Sequence, residues 1–215
     1  MPISYLICHI HVKRFSTEFD KERPLADRGK RDAPIMGKHL AKRQVKPDLI
    51  LSSPARRALS TAEIIAKELN YRAEDIVVDD RLYATKAETL LGVIGELGDK
   101  LKCVMLFGHN PELTNLAHRL SNEPALMPTC AVAQLTFETT SWSSIGSSKP
   151  AEVLFDYPKK GYPTGISKIN PAFRGDHFAV LACGDNLDAP EALLSGTLFW
   201  GPLLRDVLPG IAAFR

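Results

Sequence analysis

The stretch that most constrains the fold is Leu49–Ala62, in which a short apolar run meets a proline, paired arginines and a helical pattern. The apolar run Leu49–Leu51 is typical of a buried parallel strand. Ser52, Ser53 and Pro54 then predict a helix start, because they offer N-cap hydroxyls and a proline suited to the first turn. Arginines beside the free backbone N–H groups of such a helix, at the carboxyl end of a strand, attract anions. The stretch therefore predicts a phosphate-binding site.

Strand and helix patterns alternate along most of the chain. The predicted strands are residues 3–7, 49–51, 76–78, 101–107, 131–137 and 153–155. The predicted helices are residues 27–41, with Asp27 as a cap, 56–69, 87–97 and 112–120. This alternation predicts a three-layer α/β/α sandwich with a mainly parallel central sheet.

The composition changes near residue 160. Residues 161–215 hold 7 of the 14 glycines and 5 of the 15 prolines, and few of their apolar residues are periodic. We therefore predict one domain over residues 1–160 and a C-terminal extension of unknown role over residues 161–215.

The charge distribution indicates the kind of partner. Residues 1–60 carry 13 Lys/Arg against 6 Asp/Glu, whereas the whole chain carries 27 against 25. A basic region attracts nucleic acid or small anions. Because aromatic residues are not interleaved with these basic ones, a nucleic-acid platform is disfavoured. The predicted partner is a phosphorylated protein or a small phosphorylated substrate.

Neither the cysteines nor the apolar runs indicate a metal centre or a membrane. The four cysteines are widely scattered, which predicts neither a zinc site nor a disulfide framework. No apolar run is long enough to cross a bilayer, and the first residues lack the features of a signal peptide. We therefore predict a cytoplasmic protein with no metal, no cofactor and no membrane contact.

Three predicted strand ends carry polar groups suited to phosphoryl transfer. They are Cys8-His9, the segment Ser52–Arg57, and Gly108-His109. Since parallel strands end at the same edge of a sheet, these groups are predicted to meet. A neutral imidazole can attack phosphorus, and cationic neighbours can neutralise the phosphoryl oxygens.

The order of these motifs resembles the histidine phosphatase superfamily, in the small branch typified by the phosphohistidine phosphatase SixA. The motifs are a first strand leading to Cys8-His9, the segment Arg23–Gly29, the pattern formed by Ser53, Arg57, Ala58 and Thr61, and Gly108–Pro111. The resemblance spans residues 3–160. It implies a phosphoglycerate mutase-like fold and a metal-independent phosphatase that forms a phosphohistidine intermediate.

The resemblance also implies residue roles. His9 would be the nucleophile, Arg57 a phosphate clamp, and His109 the second histidine of the pocket. The family's first arginine falls on Cys8, and a thiol cannot grip phosphate as a guanidinium does. Either the enzyme is weakened, or Arg14, Arg23 or Arg28 reaches the phosphate instead, or the chain is an impaired phosphate-binding domain.

His11 is a rival nucleophile, and His9 and His11 together could form half of a metal site. Register with Tyr5–Ile7 favours His9, and the chain shows no matching acidic or histidine cluster for a metal. The Arg-Ala-x-x-Thr spacing likewise favours Arg57 over Arg56.

The proton donor for a leaving group is harder to locate. Ala84 stands where similar sequences often place glutamate, and Asp80 and Glu88 are weak substitutes. A missing acid impairs ester hydrolysis more than cleavage of a P–N bond. The sequence therefore favours phosphohistidine or another labile substrate, with a small-metabolite phosphomonoesterase as the further alternative.

Overall fold

The computed structural model describes residues 20–124 and 127–158, together with the backbone of residues 3–10. The strands are β1 (Ile3–Ile10), β2 (Leu49–Ser52), β3 (Val77–Val78), β4 (Cys103–His109), β5 (Val132–Phe137) and β6 (Glu152–Asp156). The helices are α1 (Asp27–Lys42), α2 (Arg56–Glu68), α3 (Ala87–Gly95) and α4 (Glu112–Ser121). The predicted elements are thus confirmed, with ends that shift by a few residues.

The strands form one mixed sheet in the order β3-β2-β4-β1-β5-β6. Strands β3, β2, β4 and β1 are mutually parallel, whereas β5 and β6 are antiparallel to their neighbours. The predicted mainly parallel sheet is therefore confirmed. Its first strand in sequence, β1, occupies the centre between β4 and β5.

The helices cover the sheet in two pairs, α1 with α2 and α3 with α4. The connections from β1 to β2 and from β2 to β3 run one way along the sheet, and the connection from β3 to β4 runs back. Right-handed crossovers therefore place α1 and α2 on one face and α3 on the other. This gives the predicted three-layer sandwich, in the arrangement of phosphoglycerate mutase-like folds.

The core depends on close contact between α1 and α2. Met36 and Leu40 of α1 and Ile65 of α2 are fully buried. A side chain at Gly37 would lie 2.8 Å from the Glu68 side chain, so only glycine lets the two helices pack this closely. This packing fixes α2, whose first turn carries the arginines, against the sheet.

Two predicted helix starts are wrong in detail. Helix α1 has Ala26 at its N-cap rather than Asp27, and α2 has Ala55 there rather than a serine. Neither helix has a side-chain cap. Asp27 instead lies in the first turn of α1, where its charge still favours the helix dipole. The serines before α2 are thereby available for other contacts.

Other predictions differ from the structure or lie outside it. Cys130 is disulfide-bonded, which the scattered cysteine spacing did not predict. A 3-10 helix at Trp142–Ser147 was not predicted either. The predicted extension, residues 161–215, lies outside the described residues. No helix in the described part of the chain is long and apolar enough to span a bilayer.

Candidate active site

The carboxyl ends of β1, β4 and β2 lie side by side at one edge of the sheet. His9 of β1 is in register with Gly108, and Ile10 with His109. On the other side of β4, Ser52 of β2 is in register with Phe107. The three predicted strand ends are therefore adjacent in the sheet.

His109 is the last residue of β4, and its ring is held by Ser53. The Ser53 Oγ lies 2.8 Å from His109 Nε2, and both residues are buried. The Ser53 backbone N–H also donates to the carbonyl of Phe107, at 2.8 Å. The serine that the sequence suggested as a helix cap thus joins β2 to the end of β4 and orients the histidine.

Arg57 reaches the other side of the same ring from the first turn of α2. Its Nη2 lies 3.4 Å from His109 Nδ1. Because a guanidinium only donates hydrogen bonds, this contact assigns the lone pair to Nδ1 and the proton to Nε2, facing Ser53. The Arg57 side chain is 6% exposed, whereas Arg56 is exposed to solvent. Of the two arginines, Arg57 is the one that contacts His109.

Asp20 occupies the outer side of the Arg57 guanidinium. Its Oδ2 accepts from Arg57 Nη2 at 2.8 Å, and its backbone carbonyl accepts from Nη1 at 2.5 Å. The third guanidinium nitrogen, Nε, is buried and has no hydrogen-bond partner among the described residues. Arg57 therefore joins a carboxylate to the imidazole of His109.

Tyr83 completes the cluster. Its hydroxyl donates to Asp20 Oδ2 at 2.9 Å, and its ring meets the His109 ring edge-on, with centroids 5.5 Å apart. Burial raises the pKa of Asp20, but the Tyr83 hydrogen bond and the Arg57 charge outweigh it and hold that pKa below its ordinary value. Burial and the Asp20 carboxylate raise the pKa of the Tyr83 hydroxyl. The aspartate is therefore ionised and the tyrosine neutral near pH 7.

The loop that carries Tyr83 is held by surface charges. Lys21 Nζ lies 5.0 Å from the centroid of the Tyr83 ring and 3.2 Å from Asp80 Oδ1. Arg81 pairs with Asp79 at 2.8 Å and with Glu96 at 2.7 Å. These contacts fix the path of the backbone that leads to the tyrosine.

The other predicted phosphate ligands lie at different distances from this cluster. Arg23 Nη2 is 3.7 Å from Asp20 Oδ1, so it borders the cluster. Arg28 pairs with Asp32 within α1, at 3.4 Å. His11 and Arg14 lie outside the described residues, as do the side chains of Cys8 and His9.

The predicted substitute acids lie outside the cluster. Asp80 pairs with Lys21. Glu88 pairs with Arg119 at 2.8 Å and lines a cavity of about 390 Å³ beside the cluster. We call this space the rim cavity; its lining residues are Thr85, Lys86, Ala87, Glu88, Glu112, Asn115 and Arg119. Ala84, at the position where relatives often have glutamate, adopts a left-handed backbone with φ 48°.

The sequence analysis missed Asp20, Tyr83 and the contact of Ser53 with His109. Asp20 and Arg57 are 37 positions apart, and Tyr83 and Asp20 are 63 apart, so no local pattern joins them. The available signal was position alone, since Asp20 precedes the Arg23–Gly29 motif and Tyr83 precedes Ala84. Within residues 20–124 and 127–158, no group of three His, Cys, Asp or Glu side chains is placed to hold a metal ion.

Comparisons with known proteins show which family and fold this chain resembles. Residues 5–92 match the family described as the histidine phosphatase superfamily (branch 1). Two curated Mycobacterium tuberculosis proteins, both described as uncharacterized, are 32% identical over 98 residues. The match covers 46% of this chain and 59% of each relative, so the aligned part is well short of the relatives' full length.

Solved structures share the fold. A candidate phosphohistidine phosphatase SixA from Agrobacterium tumefaciens is 25% identical, with a TM-score of 0.56 over 72% of this chain and 98% of that one. A candidate SixA from Nakamurella multipartitia has a TM-score of 0.58 over 74% and 98%, at 19% identity. This chain is thus similar to phosphatases. The comparisons confirm the resemblance to the histidine phosphatase superfamily that the sequence predicted, through the family match over residues 5–92 and the shared fold.

Proposed function

We propose that this chain is a SixA-like phosphatase that hydrolyses phosphohistidine or a related phosphorylated substrate. The observation that carries the proposal is the buried contact between Arg57 and His109, beside the backbone position of His9. An imidazole nucleophile next to a permanent cation and a second histidine suits the transfer of a negatively charged phosphoryl group.

The proposed reaction has two steps. In the first, the lone pair of a His9 ring nitrogen forms a bond to phosphorus while the bond from phosphorus to the leaving group breaks, and the leaving group takes a proton. In the second, water attacks the phosphohistidine, which releases inorganic phosphate and regenerates His9. Arg57 stabilises the charge on the phosphoryl oxygens in both transition states, and His109 is the second histidine of the pocket beside it.

Ser53 has a positioning role in this scheme. Its contact with His109 Nε2 keeps the ring fixed between Ser53 and Arg57. Arg23 and Arg28 are the candidate further phosphate ligands in place of the arginine that Cys8 replaces. Of these two, Arg23 is supported by its position beside Asp20.

Two other functions remain as alternatives, and one observation bears on each of them. An impaired phosphate- or phosphoprotein-binding domain is favoured by Cys8, because the thiol offers no bidentate cationic grip. A small-metabolite phosphomonoesterase would need a proton donor near Ala84–Glu88, and Glu88 is instead paired with Arg119. The paired state of Glu88 supports the phosphoramidate substrate. Partners remain phosphorylated proteins or small phosphorylated molecules, with the cytoplasm as the predicted location.

The test is a rapid-quench reaction of the purified chain with a phosphoramidate, followed by mass spectrometry to locate acid-labile phosphate. Phosphate on His9 would establish the intermediate. Phosphate on His11 would keep the chemistry and change the nucleophile. If the chain traps no phosphate and releases none, while still binding inorganic phosphate, the impaired-domain function replaces the proposed one.

A further inference from the structure

The Asp20 carboxylate takes the position on Arg57 that an incoming phosphoryl group needs. Its Oδ2 lies 2.8 Å from Nη2, the same nitrogen that lies 3.4 Å from His109. The Asp20 side chain is 22% exposed and the Arg57 side chain 6%, so solvent reaches the pair from the aspartate side. An anion that approaches Arg57 and His109 from solvent therefore meets Asp20 first.

Asp20 offsets part of the positive charge of this cluster. The carboxylate faces Arg57 directly, Arg23 at 3.7 Å and the neutral Tyr83 hydroxyl at 2.9 Å. Lys21 is directed to the Tyr83 ring and Asp80. At the position of the family's first arginine stands Cys8, which adds no cation. Among the described residues, the positive charge offered to a phosphoryl dianion is therefore lower than the arginines alone would give.

A carboxylate this close distinguishes substrates by charge. A phosphate ester or free phosphate brings a dianion, which Asp20 repels across a poorly solvated gap. A phosphoryl group on a protonated imidazole brings a cationic nitrogen with it, which offsets one of the negative charges. The carboxylate also favours an imidazole leaving group that departs with its proton.

We propose that Asp20 is a specificity-determining residue that disfavours phosphoryl dianions and selects phosphoryl groups carried on a cationic nitrogen, as in phosphohistidine. This inference rests on the proposed function for its substrates, but its effect on phosphate binding is independent of turnover. The competing role is simple positioning, in which Asp20 only holds Arg57 in place. The two roles predict opposite effects when the charge is removed and the side-chain shape is kept.

The test compares Asp20→Asn with the unmodified full chain. The first readout is the dissociation constant for inorganic phosphate, measured by calorimetry. The second is the ratio of kcat/KM for phosphoimidazole to kcat/KM for 4-nitrophenyl phosphate. Removal of one full charge at contact distance should tighten phosphate binding about tenfold and lower the substrate ratio by a similar factor.

The matched control is Asp156→Asn. Asp156 is 30% exposed and lies 3.9 Å from Arg43, so it also faces a partly buried arginine. It is the last residue of β6 and has no contact with Arg57 among the contacts described. Its replacement should leave both readouts within about twofold of the unmodified chain. Asp20→Ala, with folding checked by circular dichroism, gives a second measurement should the asparagine variant not fold.

The outcomes separate the roles. Tighter phosphate binding with a lower substrate ratio supports selection by charge. Weaker phosphate binding, or an equal fall of both kcat/KM values, overturns it and assigns Asp20 to positioning. If the unmodified chain cleaves neither substrate, the proposed function fails, while the calorimetric result still decides the effect of Asp20 on phosphate.

Discussion

Two charged regions at the same sheet edge differ in how their charges are held. The inner site, formed by Asp20, Ser53, Arg57, Tyr83 and His109, joins a loop, a strand end and a helix start through bonds between partly or fully buried groups. In the rim cavity, by contrast, the Glu88–Arg119 pair has side chains that are 67% and 48% exposed. When one member of a buried pair is removed, the other is left without a hydrogen-bond partner. In an exposed pair, water takes the place of the lost member. Substitutions in the inner site should therefore have larger effects than substitutions in the rim cavity.

The largest effect should follow removal of the inner cation. Arg57→Ala deletes the donor to His109 and Asp20, and leaves the partly buried carboxylate without its nearest cation. We expect kcat/KM for a phosphoramidate to fall by about a hundredfold to a thousandfold. Arg56→Ala is the control, because Arg56 is the exposed neighbour in the same helical turn; activity within about twofold is expected. Equal losses in the two variants would contradict the assignment of Arg57.

A smaller loss of activity should follow removal of the Ser53 hydroxyl, which holds the His109 ring. Ser53→Ala removes the contact with His109 Nε2, and the loss of one hydrogen bond of about 1.4 kcal/mol corresponds to about tenfold in kcat. The pH profile of kcat should shift as well, because Ser53 partners one tautomer of the ring. Ser52→Ala is the control, since Ser52 is equally buried but bonds only the Ser53 carbonyl among its described contacts. An unchanged pH profile in Ser53→Ala would argue that the serine merely fills space.

Tyr83→Phe tests the inner site through stability. It removes the hydroxyl that donates to Asp20, at a cost of about 1 kcal/mol in the free energy of unfolding at pH 7. The pKa of Asp20 is lowered on folding, so its stabilisation is present above the ordinary value of 3.8 and is lost as the pH falls through the lowered value. Because Tyr83 contributes to this lowering, the difference between Tyr83→Phe and the unmodified chain should shrink in acid. Urea titrations from pH 7 to pH 3 measure it.

The control for this pH dependence is Tyr71→Phe. The Tyr71 hydroxyl donates to the backbone carbonyl of Asp75 at 3.1 Å rather than to a carboxylate. A backbone carbonyl does not titrate, so its loss should cost a similar amount at every pH in this range. If the two tyrosine variants show the same pH dependence, the pairing of Tyr83 with ionised Asp20 does not stabilise the fold.

The smallest effect should come from the rim cavity. Glu88→Gln breaks an exposed pair with Arg119, so the free energy of unfolding should change by less than about 0.5 kcal/mol. The ratio of phosphoramidate to ester turnover should also stay within about twofold of the unmodified chain. A selective loss of ester hydrolysis would instead make Glu88 the proton donor and favour the phosphomonoesterase function.

The sheet and its edge could be predicted from the sequence because their signals are local. Apolar runs such as Leu49–Leu51 and Leu101–Phe107 specify buried strands, and polar residues at their ends mark the carboxyl edge. The position of Arg57 and His109 at this edge follows from those runs. By contrast, Asp20 and Tyr83 lie in turns without periodicity, and only the folded chain shows that they meet.

Capping was predicted wrongly for a related reason. Ser53 has the residue type of an N-cap, but its hydroxyl contacts His109, a partner 56 positions away. The tertiary contact thus takes the side chain that local preference assigned to the helix. Similarly, buried Trp142 donates from Nε1 to the Leu101 carbonyl at 3.0 Å, which ties the unpredicted 3-10 helix to the start of β4. Residue type alone therefore predicts the wrong role for a side chain whose partner lies far away in the sequence.

The central place of β1 has a kinetic consequence. Its sheet partners, β4 and β5, lie about a hundred or more positions further along the chain. Such pairings close long loops, and the chain loses conformational entropy before the new contacts compensate for it. Strand pairing of this kind therefore slows folding. We expect the amides of β1 to be among the last to gain protection in pulsed hydrogen exchange. Because β1 carries His9, a partly folded chain could hold Arg57 in α2 while the proposed nucleophile is not yet in place.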